Sequence, residues 1–268
     1  KSDLPVYSYD NVSWNSKMGC VVAQREKRMG CLVVDSNPIA DIDRKTIVDV
    51  VCNAAKKDGT GMFDWNDNVS RLQLRVMKVA EWHPELSLPD LSTSHILETA
   101  DEWLPFYLEN NGKIRQNVAE LKKINMYDVL WAMIPYDLQM QIERLAPTHI
   151  VVPTGSRIKV DYRQGAAVPV LSVRLQECFG MEKTPCVNDG RQPLLMELLS
   201  PGFKPVQLTQ DLESFWNTTY FEVRKELKRR YSKHYWPENP LEAEAVRGVK
   251  RKFATRLQNF VHNFAAEN

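Results

Sequence analysis

Between Ile47 and Leu145 the apolar residues recur at intervals of three and four, which sets them along one face of an α-helix. Asp43 is placed to cap a helix running through Ile47, Val50, Val51 and Ala54, with a stop near Gly59. A second helix uses Val69, Leu72, Val76 and Val79 and ends before Pro84. A third is predicted through Ile96, Ala100, Trp103 and Leu104. Two more follow, one with Met126, Val129, Leu130 and Met133, the next with Leu138, Ile142 and Leu145. Pro135 can open the last of these, since the first helical residue needs no amide donor. Residues 41–145 therefore read as a helical bundle, with Trp103 and Trp131 on its apolar stripes.

On both sides the pattern changes. Residues 1–40 predict strands: Val12-Ser13-Trp14 leads to a hairpin-like pair, Cys20–Ala23 and Cys31–Val34, with the polar run Gln24–Arg28 as the loop between them. Residues 146–240 mix types. Strands are expected at His149–Val152 and Arg157–Tyr162 around the turn Pro153-Thr154-Gly155-Ser156, and at Leu194–Leu199 and Val206–Thr209 around Ser200-Pro201-Gly202. Val173–Phe179 fits a short helix ended by Gly180 or a strand equally well. One helix is predicted from about Asp211 to Tyr231, with Leu212, Phe215, Trp216, Tyr220, Val223 and Leu227 on its apolar side. Residues 241–268 read as a basic tail or a final helix. The expected class is α+β: a strand segment, a helical bundle and a mixed α+β carboxy-terminal domain.

The region from Leu145 to Leu241 also carries ordered motifs. They are Ala146-Pro147-Thr148-His149, the run from Val152 to Tyr162, Val173–Gly180, Leu198-Leu199-Ser200-Pro201, Val206–Leu212, Phe215-Trp216, Glu222–Leu227 and Tyr231–Pro237. In this order and spacing they resemble the carboxy-terminal region of HrpB-type bacterial DEAH-box ATP-dependent helicases. Val33–Pro38, Trp65, Leu88–Leu91 and Glu102–Leu104 extend the likeness over most of residues 10–241. The resemblance implies that residues 1–40 are the last strands of an OB-like module beginning upstream, and that 146–240 is an HrpB carboxy-terminal domain. It further implies a parent protein that couples ATP hydrolysis, with Mg²⁺, to RNA binding or unwinding in the bacterial cytoplasm. The upstream helicase core of the same chain is then a partner.

The ATPase motifs themselves are absent from these residues. There is no Gly-x-x-x-x-Gly-Lys-Ser/Thr loop to cradle phosphates, and Gly59-Thr60-Gly61 lacks the glycine and lysine that would follow. No acidic Mg²⁺ motif follows an apolar strand, and Asp101-Glu102 falls within a helical pattern. Phosphoryl transfer without these groups has no electrostatic stabiliser. No cofactor is expected in this chain, with ATP and Mg²⁺ implied for the parent alone.

Composition narrows the partners. The 268 residues are 43% apolar and 26% charged, with a net charge of +1, so nucleic-acid contact would need a local patch. No apolar run approaches the length of a membrane span. The cysteines at 20, 31, 52, 178 and 186 are odd in number and lack Cys-x-x-Cys spacing, which predicts reduced, buried thiols rather than a metal site.

The densest cation run is Arg224, Lys225, Lys228, Arg229, Arg230, Lys233 and His234, with Glu226 the one acid among them. Lys225, Lys228 and Arg229 share a helix face that could neutralise phosphates, flanked by Arg224 and followed by Lys233. Tyr231, Tyr235 and Trp236 could stack bases or pack inward, the second being favoured. Arg25, Lys27 and Arg28 form a second candidate contact, because the OB-like module of the resembled helicases lies along the RNA path. Thr154-Gly155-Ser156-Arg157 could be an anion nest but is favoured as a plain turn. His149 has no evident nucleophile beside it, so a structural role is expected. The leading expectation is an accessory carboxy-terminal region of an ATP-dependent RNA helicase, contributing RNA contact or partner docking. The alternative is a protein-interaction module that binds no nucleic acid.

Overall fold

The computed structural model describes residues 5–163 and 167–249. Its first strands are β1 (Val6–Asn15), β2 (Cys20–Met29) and β3 (Leu32–Pro38), an antiparallel meander in the order β1-β2-β3. The polar run Gln24–Arg28 is not a loop but the second half of β2, with Tyr9 opposite Glu26, Asp10 opposite Arg25 and Lys27 opposite Asp35. Opposite charges paired across strands stabilise an exposed sheet without apolar burial, which is why apolar patterning misplaces this stretch. The turn instead falls at Gly30, in the left-handed region at φ +60°. The sheet is fastened to the helical segment. The Trp14 indole donates to Asp58 at 2.8 Å, and the amides of Val21 and Val118 bond to the carbonyls of Gln116 and Gly19, both at 2.8 Å.

Helix α1 (Arg44–Asp58) starts where the Asp43 carboxylate accepts the Thr46 amide at 3.2 Å and ends at Gly59, as expected. Helix α2 (Asp67–Trp82) is capped by Asn66 and stops ahead of Pro84. The third expected helix is broken into α3 (Thr93–Glu98), α4 (Ala100–Trp103) and α5 (Pro105–Leu108). The Thr99 hydroxyl donates to the His95 carbonyl at 2.7 Å, and Pro105 has no amide to continue the ladder. A short ribbon, β4 (Glu109–Asn110) and β5 (Lys113–Ile114), precedes α6 (Val118–Leu121), α7 (Met126–Ala132) and α8 (Tyr136–Leu145). Val51, Ala55, Val69, Leu72, Ala100 and Leu130 fill the core. Trp103 is buried as predicted, with its indole donating to the Ile96 carbonyl at 2.8 Å and its ring 5.8 Å from Phe63. Trp131 is only half-buried, which corrects its assignment to the core. It lies stacked with Tyr127 and has the Arg75 guanidinium 5.7 Å from its ring.

The chain divides into two compact units between Met140 and Gln141, within α8. The second is built on a five-stranded sheet, ordered β12-β11-β8-β7-β6: β6 (His149–Val151), β7 (Arg157–Asp161), β8 (Val170–Arg174), β11 (Leu195–Leu199) and β12 (Pro205–Thr209). A two-stranded ribbon, β9 (Cys186–Val187) and β10 (Gln192–Pro193), lies between β8 and β11 in sequence. β8 and β11 run parallel in the centre, and the other neighbours are antiparallel. Val173–Phe179 resolves into the end of β8 followed by a 3₁₀ turn, Leu175–Cys178. The single helix expected over 211–231 is two, α9 (Leu212–Asn217) and α10 (Tyr220–Arg230). The Thr218 hydroxyl donates to the Ser214 carbonyl at 2.6 Å, a local bond that competes with helix continuation. Phe179, Phe215, Trp216 and Tyr220 form an aromatic core, with Trp216 and Tyr220 rings 5.4 Å apart. The Trp216 indole donates to the Met181 carbonyl at 2.8 Å.

Candidate nucleic-acid interface

Each strand cation proposed as a contact already has a carboxylate. Arg25 meets Asp10 through two hydrogen bonds of 2.7 and 2.9 Å, Lys27 lies 3.4 Å from Asp35, and Arg28 lies 2.6 Å from Glu26. Hydrogen bonds from Asn11 and Arg28 hold the Glu26 carboxyl below its ordinary range. The sheet thus presents cations whose charge is balanced at close range, which weakens their field at a distance.

The cations around α10 differ. Lys225, Lys228 and Arg229 are exposed, the latter two adjacent and each one helical turn after Lys225, and Lys233 is exposed just beyond the helix. None of the four is ion-paired among the described residues. Arg224 is held instead, donating to the Trp236 carbonyl at 3.2 Å and lying 3.4 Å from Glu238. It braces the chain after the helix. Phe221, one turn before Lys225, is also exposed, so an aromatic ring precedes the cation stripe. Sequence reading passed over it, although its spacing of four from Lys225 and seven from Lys228 was visible.

The interleaved aromatics pack inward. Trp236 is buried, with its indole donating to the Tyr231 carbonyl at 3.0 Å, and Tyr235 sets its ring against Phe179. His234 lies edge-on to Tyr231, with Nδ1 buried and lacking a hydrogen-bond partner. In the basic tail, Arg247 donates to the Thr154 carbonyl at 3.0 Å, and the further cations Lys250, Arg251 and Lys252 lie outside the described residues.

The Thr154–Arg157 turn has an anion of its own. Glu177 Oε2 lies 2.6 Å from the Ser156 hydroxyl and 2.9 Å from that of Thr154, and Oε1 accepts from Arg174 at 2.9 and 2.8 Å. Burial pushes the Glu177 carboxyl up, but the bonds from Ser156, Arg174 and Thr154 outweigh it and leave it below its ordinary value. An external phosphate would have to displace this buried carboxylate. His149 contacts the Thr148 hydroxyl at 3.0 Å, and burial with Arg157 and Lys159 nearby lowers its pKa. Cys52 and Cys178 are buried as expected, their thiols pushed up to about 11 and about 12, whereas Cys31 and Cys186 are exposed. Among the described residues no cluster of three or more His, Cys, Asp or Glu is placed to hold a metal, and no helix is long and apolar enough to cross a membrane.

Residues 103–240 match the family model described as ATP-dependent helicase C-terminal. The chain is 33% identical over 246 residues, 92% of its length, to the ATP-dependent RNA helicase HrpB of Escherichia coli K12, and spans 30% of that relative. The crystal structure of the E. coli DExH-box NTPase HrpB aligns with a TM-score of 0.73 at 33% identity, over 90% of this chain and 29% of that one. A second crystal structure, of the E. coli DEAH/RHA helicase HrpB, aligns at 0.64 and 32% identity, over 87% of this chain and 29% of that one.

Proposed function

The chain belongs to the HrpB-type family of ATP-dependent helicase carboxy-terminal regions, and from that premise we propose that it serves as the accessory, RNA-contacting end of such a helicase. The carrying observation is the exposed, unpaired set Lys225, Lys228, Arg229 and Lys233 on and beside α10, set against strand cations that are neutralised within their own sheet. Cations without partners gain most from a phosphate backbone, because no internal ion pair is broken to reach it. Contact of this kind positions RNA without reading its sequence. Arg25, Lys27 and Arg28 contribute less in this reading, as they must exchange Asp10, Asp35 and Glu26 for phosphate. In this reading ATP and Mg²⁺ belong to the rest of the helicase, because this sequence carries no phosphate loop, and the helicase works in the cytoplasm.

A second reading, docking of a protein surface, is favoured by one observation. Val6, Tyr7, Tyr9, Leu32, Val33 and Val34 are all exposed on the three-stranded sheet. The upstream helicase core is the partner that this reading assigns to them.

Fluorescence anisotropy of the chain with labelled single-stranded RNA, at low and moderate salt, separates the two. Binding that weakens steeply with salt supports RNA contact. No binding at low salt rejects it and leaves docking as the function.

A further inference from the structure

The turn joining β11 to β12 sets a phenylalanine where the backbone favours glycine. The Phe203 amide bonds to the Ser200 carbonyl at 2.9 Å, the Ser200 amide to the Lys204 carbonyl at 2.8 Å, and Phe203 adopts φ +59°. This left-handed conformation is unfavourable for a bulky side chain. The side chain gains little burial in return, since Phe203 is 67% exposed. The Arg174 guanidinium lies 5.0 Å from the ring centroid and is itself anchored by Glu177. An aromatic ring is therefore held out in solvent, braced by a cation, at a backbone cost. Such a strained and exposed position is where a functional explanation is sought.

Beside it, β12 and α10 enclose a cleft of about 260 Å³ lined by Ser200, Lys204, Glu226, Arg230 and Tyr231, among others. The Ser200 and Tyr231 hydroxyls approach to 3.4 Å, and a Cβ at Gly202 would lie 2.8 Å from the Tyr231 hydroxyl. Glycine thus lets the turn close against that hydroxyl. Arg230 lies 5.8 Å from the Tyr231 ring, and neither Lys204 nor Arg230 is ion-paired among the described residues. Two cations against the single carboxylate of Glu226 leave one positive charge, which matches one phosphodiester. Arg230 follows Lys228 by two positions, about 200° around an α-helix, so the cleft and the Lys225–Lys228 stripe lie on different flanks of α10.

We propose that this cleft and the Phe203 ring form a subsite for one nucleotide of single-stranded RNA. Lys204, Arg230 and the Tyr231 hydroxyl hold its phosphate, and the base stacks on Phe203. The inference rests on the RNA-contacting reading above and deepens it. Every base has a stacking face, so the subsite is sequence-tolerant. A duplex keeps its base faces covered and engages the cations alone. An acidic peptide would likewise satisfy the cations and leave Phe203 unused.

The test is anisotropy of the whole chain with a labelled twelve-residue oligouridylate and with a duplex of equal length. The variants are Phe203→Asn, Lys204→Glu with Arg230→Glu, and Lys225→Glu with Lys228→Glu. Asparagine tolerates the left-handed backbone, so Phe203→Asn is expected to keep or raise Tm while weakening oligouridylate binding roughly five- to hundredfold, the range of base–aromatic stacking. Its duplex binding stays at the wild-type level. The Lys204 and Arg230 reversal weakens binding to both. Wild-type oligouridylate affinity in both Phe203→Asn and the Lys204/Arg230 variant, with loss only in the Lys225/Lys228 variant, overturns the subsite and leaves the RNA reading standing. Loss confined to Lys204 and Arg230, with Phe203→Asn unchanged, also overturns it, as an anion cleft fit for an acidic peptide. A wild-type chain that binds no RNA overturns both.

Discussion

Glu177 closes the Thr154–Arg157 turn by accepting the Ser156 hydroxyl at 2.6 Å, across 21 residues of sequence. The turn has the composition of an anion nest, and the anion it holds is the protein's own. Arg174 secures the other carboxylate oxygen, so one buried side chain ties the β6–β7 turn to the 3₁₀ turn after β8.

Removing that charge should loosen the sheet. Glu177→Gln is expected to cost about 1.5–3 kcal/mol, the range for hydrogen bonds to a charged group. Its folded pKa lies below the ordinary 4.5, so its stabilisation is fully present above that value and is lost as pH falls through the folded pKa. Denaturant titrations of wild type below about pH 4.5 should show a stability loss that the variant lacks in part. Identical acid limbs would contradict this.

The tryptophans should separate by burial. Trp103→Ala and Trp216→Ala are each expected to cost about 3–5 kcal/mol, and Trp131→Ala distinctly less, because its ring is partly in solvent. Iodide quenching in single-tryptophan variants checks the ranking. Residues 103 and 216 should be shielded and 131 accessible, and equal quenching of all three would contradict the placement.

The strand segment should depend on one indole. Trp14→Phe removes the 2.8 Å bond to Asp58 and is expected to lower stability by about 1 kcal/mol. Amide exchange in β1 should accelerate more than in α7, which lies well along the chain from that bond. A uniform change across the first unit would mean that Trp14 does not anchor the sheet locally.

The apolar spacing carried most of the fold. Intervals of three and four located α1, α2 and α8, and Asp43 and Gly59 set the ends of α1, because each signal is local. Errors arose where the backbone departed from the apolar pattern. The helices break at Thr99 and Thr218, where the backbone leaves helical angles at φ −96°, ψ 20° and φ −121°, ψ −70°, although the apolar pattern runs straight through. β2 was misplaced because its second half is held by cross-strand charge rather than by alternation. For the candidate interface, the cation stripe on α10 was legible from helical spacing. The neutralisation of Arg25 and Lys27 was not, since Asp10 and Asp35 reach them only through strand pairing, whereas the partner of Arg28, Glu26, lies two residues away on the same strand. Phe203 was hidden as well, since nothing in Ser200-Pro201-Gly202 states that the next residue turns left-handed and faces solvent.

The central claim is that unpaired cations beside α10, rather than the neutralised cations of the strands, meet RNA. Its most direct test compares Lys225→Glu with Lys228→Glu against Arg25→Glu with Lys27→Glu, by anisotropy on unrelated single-stranded RNAs at low salt. The account predicts roughly tenfold or greater weakening for the α10 pair on every sequence, with a shallower salt slope, and a smaller effect for the strand pair. Wild-type affinity in the α10 variant, or the larger loss in the strand variant, would contradict it.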